Sequence, residues 1–295
     1  MKMQQKWKSL LFLILFIPVY AMAQAQEFPL PDVPKELRGP EARANYLALH
    51  YWDRYDFGDD ALIGSKEVTE QGFSNFISIM PYVTEKGAAF ARLAASLVGN
   101  QRMLDYFVAL GVKYLYEPAS PVYDDALYIL MLEKVLEQES LSEKHRQEFG
   151  FDLRMARKNR VGSVAADFSF ITKDGKNSTL HKTKGEYLLL FLGDPECEYC
   201  VETKEKLLAL PAFMRLVDSG RLKVLSVCVE GKTDAWKNGP TPKGWIDACD
   251  EGQVIYENLL YEIPGLPVLL LLDKEHRVLM KNVYPGMVET FLMGK

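Results

Sequence analysis

Two cysteines three positions apart, in the run Cys197-Glu198-Tyr199-Cys200, are the side chains of this sequence best spaced to do chemistry. On a helix that spacing sets the two sulfurs one turn apart. At a helix N-terminus the first sulfur meets unpaired backbone N–H groups and the positive end of the dipole, which favour a thiolate. A thiolate attacks a disulfide, and a second cysteine one turn on resolves the mixed disulfide that forms. Two plainer readings compete with dithiol exchange. One is an inert disulfide, which over so short a loop constrains the unfolded chain by only about 2 kcal/mol. The other is half of a zinc site, which lacks a second C-x-x-C or Cys/His pair to complete it.

The flanking sequence supplies what would position such a pair. Tyr187 to Leu192 is a continuous apolar run, the pattern of a strand buried on both faces. It leads through Gly193-Asp194-Pro195-Glu196 into an amphipathic helix over 197–209. Leu222 to Val229 and Val268 to Leu272 read as two further buried strands, and Pro267 stands immediately before the second. Asp174-Gly175 is a hairpin turn signal between Asp167–Phe170 and Thr179-Leu180. The turn Asp273-Lys274-Glu275-His276 leads into Arg277-Val278-Leu279-Met280. With helical stretches between the buried strands, residues 161–295 read as an α/β unit around a central sheet. Cys228 falls inside a buried strand, as an inert core thiol or as the partner of Cys249 in a second disulfide.

Upstream the periodicity is helical. Residues 27–40 are rich in proline, and 41–158 carry apolar residues at helical spacing, with segments near 68–80, 84–98 and 101–115. Ser120-Pro121 with Asp124 and Asp125 predicts one helix start, and Ser140-Leu141-Ser142-Glu143 predicts another as a capping box. Residues 27–160 are expected to form an all-helical domain of five or six helices. The four histidines, His50, His145, His181 and His276, form no spaced cluster, so no metal and no cofactor is expected.

Taken together, Val161-Gly162, Ala165-Ala166-Asp167-Phe168, Asp174-Gly175-Lys176, Leu180, Lys184-Gly185, the apolar strand and the C-x-x-C resemble the TlpA-like thiol–disulfide oxidoreductases of the thioredoxin superfamily. The resemblance covers about residues 161–295. It implies a thioredoxin-like fold in which Cys197 is the nucleophile, Cys200 resolves, and Pro267 is a cis-proline facing them. Three positions depart from that pattern: Glu196 replaces a tryptophan, Ala166 a proline, and Val268 a threonine. Dithiol chemistry survives all three. The helical half before this domain also looks like a secreted two-domain arrangement of Gram-negative bacteria.

The chain also carries an address. Lys2, Lys6 and Lys8 precede the apolar run Leu10–Ile17, and Ala21-Met22-Ala23 fits a cleavage site, so residues 1–23 read as a signal peptide. Its 14 apolar residues, Leu10 to Ala23, fall short of the roughly 20 needed to span a bilayer. No cysteine lies there to carry a lipid, and no second long apolar run follows, so a periplasmic protein without a membrane span is expected. Removing those three lysines takes the formal charge from −5 to −8. An acidic chain without a basic stripe argues against nucleic acid as a partner. The expected function is a periplasmic oxidoreductase, reductant or isomerase-like, acting on protein thiols and disulfides with an unidentified electron donor. The alternative is a non-catalytic scaffold whose helical domain engages a partner. Asp194, Glu196 and Glu198 crowd negative charge around Cys197, which opposes the stabilised thiolate of a strong oxidant.

Overall fold

A computed structural model describes residues 28–294. The expected signal peptide, residues 1–23, lies outside the described residues. From residue 40 to 156 the chain is helical: α1 (Pro40–His50), α2 (Gln71–Ile79), α3 (Lys86–Leu97), α4 (Gln101–Gly111), α5 (Asp125–Leu136) and α6 (Glu143–Ala156). Apolar residues recur three and four apart, as in Phe73, Phe76 and Ile77 of α2 and Phe90, Leu93, Ala94 and Leu97 of α3. Each helix therefore presents one stripe. These stripes meet in a cluster that also takes Tyr51, Trp52, Tyr55 and Phe107.

Two helix starts differ from the sequence expectation. Helix α5 is capped by Asp124, whose carboxylate accepts the N–H groups of Ala126 and Leu127, and Ser120 instead bonds the Tyr114 carbonyl. An ionised cap next to the first turn takes two orphan donors and also suits the dipole, so it outcompetes the hydroxyl upstream. Helix α6 starts after Ser142, which accepts the His145 N–H, and not after Ser140. Ser142 directly precedes Glu143 and lies nearer the apolar stripe, and its hydroxyl makes the cap.

From residue 169 the pattern is that of a mixed sheet: β1 (Ser169–Thr172), β2 (Asn177–Thr179), β3 (Tyr187–Gly193), α7 (Glu198–Leu208), α8 (Pro211–Asp218), β4 (Leu222–Cys228), α9 (Asp234–Asn238), β5 (Trp245–Cys249), α10 (Val254–Glu257), β6 (Val268–Asp273), β7 (Val278–Lys281) and α11 (Pro285–Met293). The strands lie in the order β2-β1-β5-β4-β3-β6-β7. Strands β3, β4 and β5 are parallel; on one side β6 pairs antiparallel with β3 and β7 with β6, and on the other β1 pairs antiparallel with β5 and β2 with β1. This is a thioredoxin-like sheet, joined to a helical region before it. Strand β5 went unread in the sequence because Trp245-Ile246-Asp247-Ala248-Cys249 interrupts its apolar run with a buried aspartate. That carboxylate is satisfied by an ion pair with Lys173 at 3.0 Å, the Trp236 indole N–H at 3.0 Å and the Thr241 hydroxyl at 3.0 Å.

Strand β3 has α7, α8 and α11 on one face and loops with the short helix α10 on the other. Leu189 and Phe191 face α7, α8 and α11, packing with Leu207, Phe213 and Val288. Leu188, Leu190 and Leu192 face Phe168, Leu180, Ile255 and Tyr261. Such central placement makes truncation costly. Leu190→Ala, at a fully buried position between Leu225 and Leu270, is expected to lower unfolding stability by about 2–5 kcal/mol in denaturant titration.

The two regions meet through polar groups. Lys281 of β7, its side chain 4% exposed, donates to the Tyr116 hydroxyl at 2.7 Å and pairs with Glu262 at 3.4 Å. Tyr116 in turn donates to Glu262. Lys158 donates to the Leu259 carbonyl, Asn159 to the Leu260 carbonyl at 2.9 Å, and Tyr284 to Glu117 at 2.8 Å. Burial pushes the Lys281 ammonium below its ordinary pKa, and Glu262 opposes that shift.

Candidate active site

The end of β3 delivers the cysteine pair. Gly193 is required there by close approach: a Cβ added to it would lie 2.6 Å from the Phe191 ring and 3.2 Å from Cys200 Sγ. The chain leaves the sheet in a turn in which the Asp194 carboxylate accepts the Glu196 N–H at 3.1 Å. Cys197 then caps α7 with extended backbone, φ −84° and ψ 115°, and its sulfur accepts the Cys200 N–H at 3.2 Å. This places the first sulfur at the helix N-terminus.

The two thiols have different surroundings. Cys197 is partly exposed, and its thiol donates to the Leu266 carbonyl at 3.7 Å. That carbonyl belongs to the Leu266–Pro267 peptide, which is cis. Cys200 is fully buried, and its sulfur accepts the Asp194 N–H at 3.5 Å. Burial first, then the adjacent Cys197, push the Cys200 thiol up to about 12, against lowering by the Asp194 N–H and by Lys204. One sulfur is presented and the other is held back, protonated, beneath it.

Of the three carboxylates around the pair, Glu196 and Glu198 point to solvent and Asp194 is half-buried. Lys204 brings a cation to the pair and lowers the Cys200 thiol. It sits four residues after Cys200, so helical spacing was the available signal. Its ammonium lies 5.1 Å over the Phe191 ring.

Cys228 and Cys249 are direct register partners at the ends of β4 and β5, buried together with Trp236. All four cysteines are free thiols in this structure. Burial raises Cys228, and it pushes Cys249 up to about 11. The histidines stand apart from the cysteines. His145 pairs with Asp105 at 2.9 Å, and His50 with Asp53 at 2.7 Å. The rings of His181 and His276 lie 5.0 Å apart, each bonded to a backbone carbonyl. Among the described residues, no group of three or more His, Cys, Asp or Glu could hold a metal ion.

The cis-proline and the cysteine turn open on a cleft of about 1180 Å³. Tyr199, Leu266 and Pro267 line one side, and Tyr116, Tyr128 and Asp152 of the helical region line the other. This second wall is not legible in the sequence, because it joins residues far apart in the chain.

Fold and site together define a thioredoxin-like protein with a C-x-x-C pair at the start of α7, the first α-helix of the sheet region. A family model described as a domain of unknown function, DUF5106, matches residues 5–159. The chain belongs to that family. Among solved structures it is similar to a thioredoxin-like protein from Bacteroides caccae, with 32% identity and a TM-score of 0.74, covering 92% of this chain and 99% of the other. It is also similar to the C-terminal domain of an uncharacterized protein from Bacteroides fragilis, at 35% identity and TM-score 0.45, over 46% of this chain and 98% of that one. A third match is the thioredoxin domain of a thiol-disulfide oxidoreductase from Bacteroides vulgatus, at 22% identity and TM-score 0.37, over 45% of this chain and 98% of that one. No curated protein matches.

The unequal burial of the thiols has a direct consequence. Limiting iodoacetamide at pH 8, applied to the reduced folded protein, should label Cys197 and spare Cys200, Cys228 and Cys249, as read by peptide mass spectrometry. Labelling of Cys200 ahead of Cys197 would contradict the assignment of the two sulfurs.

Proposed function

We propose that this protein is an exported thiol–disulfide oxidoreductase acting on protein disulfides, with Cys197 as nucleophile, Cys200 as resolving thiol and Pro267 shaping the surface where the substrate chain lies. The observation that carries this reading is the asymmetry of the pair. Cys197 is accessible at a helix N-terminus against the Leu266 carbonyl, while Cys200 lies buried one turn behind it.

In the forward direction the Cys197 thiolate attacks a substrate disulfide, forming a mixed disulfide and releasing one substrate thiol. Cys200 then attacks Cys197 Sγ, losing its proton as it does so. The second substrate thiol departs, and the Cys197–Cys200 disulfide keeps the two oxidising equivalents. An external dithiol donor returns the pair to the reduced state. The elevated Cys200 thiol is suited to waiting, since it attacks only once a mixed disulfide stands beside it. The basic start, the apolar run and Ala21-Met22-Ala23 support export, and the periplasm is the compartment proposed.

The direction of electron flow follows from charge. Asp194, Glu196 and Glu198 place three carboxylates around the pair, and negative charge beside a dithiol favours the reducing direction. A reductant or isomerase role is therefore proposed over disulfide formation. Equilibrated against glutathione, the pair should show a potential nearer about −270 mV than about −120 mV, and a value above about −150 mV would reverse the direction. Insulin reduction by the full chain with dithiothreitol as donor tests the activity itself. The wild type should accelerate precipitation of the insulin B chain, and Cys197→Ser should be indistinguishable from dithiothreitol alone. A Cys197→Ser variant as fast as the wild type would refute the reading.

A further inference from the structure

The cleft beside Pro267 has walls of two kinds. The sheet region contributes Tyr199, which is 71% exposed although it lies between the two cysteines, and Tyr284, which is 53% exposed. The helical region contributes Val112, Tyr116, Tyr128 and Asp152. Apolar groups open to water on both sides of one groove, Tyr199 and Tyr284 on one and Val112, 41% exposed, on the other, suit an extended polypeptide, whose side chains can lie between them.

The charges in the cleft are one-sided. Its lining holds four carboxylates, Glu117, Asp152, Glu202 and Glu262, against one cation, Lys206. Three of the four are already occupied: Glu117 by the Tyr284 hydroxyl, Glu202 by Lys206, and Glu262 by Tyr116 and Lys281. Asp152, half-buried on α6, has no hydrogen-bond or ion-pair partner among the described residues. Burial, with Glu262 and Glu148 nearby, raises its pKa. A desolvated carboxylate without a counter-ion is unfavourable by itself and gains most from a cation brought to it.

We propose that the helical region is the substrate-recognition half of the protein, and that Asp152 takes a lysine or arginine side chain of an extended polypeptide whose cysteine lies at Cys197. The occupant is fixed by complementarity: apolar contacts for the segment, and one positive charge to meet the unpaired carboxylate. Pinning of residues 259–262 by Tyr116, Lys158, Asn159 and Lys281 holds the two walls in register. This inference rests on the thiol–disulfide exchange proposed above, and it adds the substrate class.

The test uses the full chain, dithiothreitol as donor, and short symmetric peptide disulfides, each made of two copies of one single-cysteine peptide. Cys197 attack frees one copy and Cys200 attack frees the other. The peptides carry lysine, norleucine or glutamate at positions two to six residues from the cysteine. At its best position the lysine peptide should exceed norleucine about tenfold in kcat/KM, through KM, with glutamate worst. In Asp152→Asn the lysine-to-norleucine ratio should fall to about one, and Asp152→Glu should restore part of it. The wild-type comparison does not depend on how the variants fold. Equal kcat/KM for all three peptides, or a preference for norleucine, would overturn the proposal while leaving the exchange reading intact. Failure to reduce any of the three would sink both.

Discussion

The space over Gly193 is the constraint on which the site depends. Strand β3 is buried on both faces and has side chains at every position but its last. There the sheet must admit the Cys200 sulfur from the helical layer, and any Cβ would meet that sulfur and the Phe191 ring at once. With Cys200 lodged in this gap, α7 is fixed in depth and rotation against the sheet. Cys197, one turn earlier, is then carried to the surface opposite Leu266. The difference between a presented and a withheld thiol is thus set by packing under the helix and not by the two intervening residues.

The other side of the site depends on the helical region. The segment 259–262, which runs into the cis-proline loop, is tied to that region by backbone carbonyls accepting from Lys158 and Asn159 and by the Glu262–Tyr116–Lys281 group. A lysine amine this deeply buried is tolerated only because a hydroxyl, a carboxylate and a carbonyl share its donors. Removing one partner of such a buried pair costs about 3–5 kcal/mol, so the contact is specific as well as close. The helical wall of the cleft and the loop that faces Cys197 are therefore held together by the same contacts.

The buried strands and the cysteine helix were legible because their signals are local and unmixed. Tyr187 to Leu192 is apolar without a break, and the C-x-x-C follows it within a few residues. Pro267 could be placed beside the cysteines only through a resemblance, since nothing local brings residue 267 to residue 197. Strand β5 is hidden by Asp247, a buried acid whose partners, Lys173, Trp236 and Thr241, come from outside the strand. The starts of α5 and α6 were misplaced by a few residues because several serines and aspartates compete for each cap, and sequence does not rank hydrogen-bond geometry. The register that sets Cys228 opposite Cys249 on adjacent strands and the second wall of the cleft are tertiary facts. They depend on register and docking, which leave no periodic trace.

The central claim is that Cys197 meets substrate first and Cys200 resolves. It is tested most directly by trapping in the producing cell. A Cys200→Ala variant retains the nucleophile and cannot release the mixed disulfide, so covalent adducts should accumulate and disappear on reduction. Non-reducing mass spectrometry should place every adduct on Cys197, joined to cysteines of exported proteins. Adducts on Cys228 or Cys249, or none above the level of a Cys197→Ala/Cys200→Ala double variant, would contradict the account.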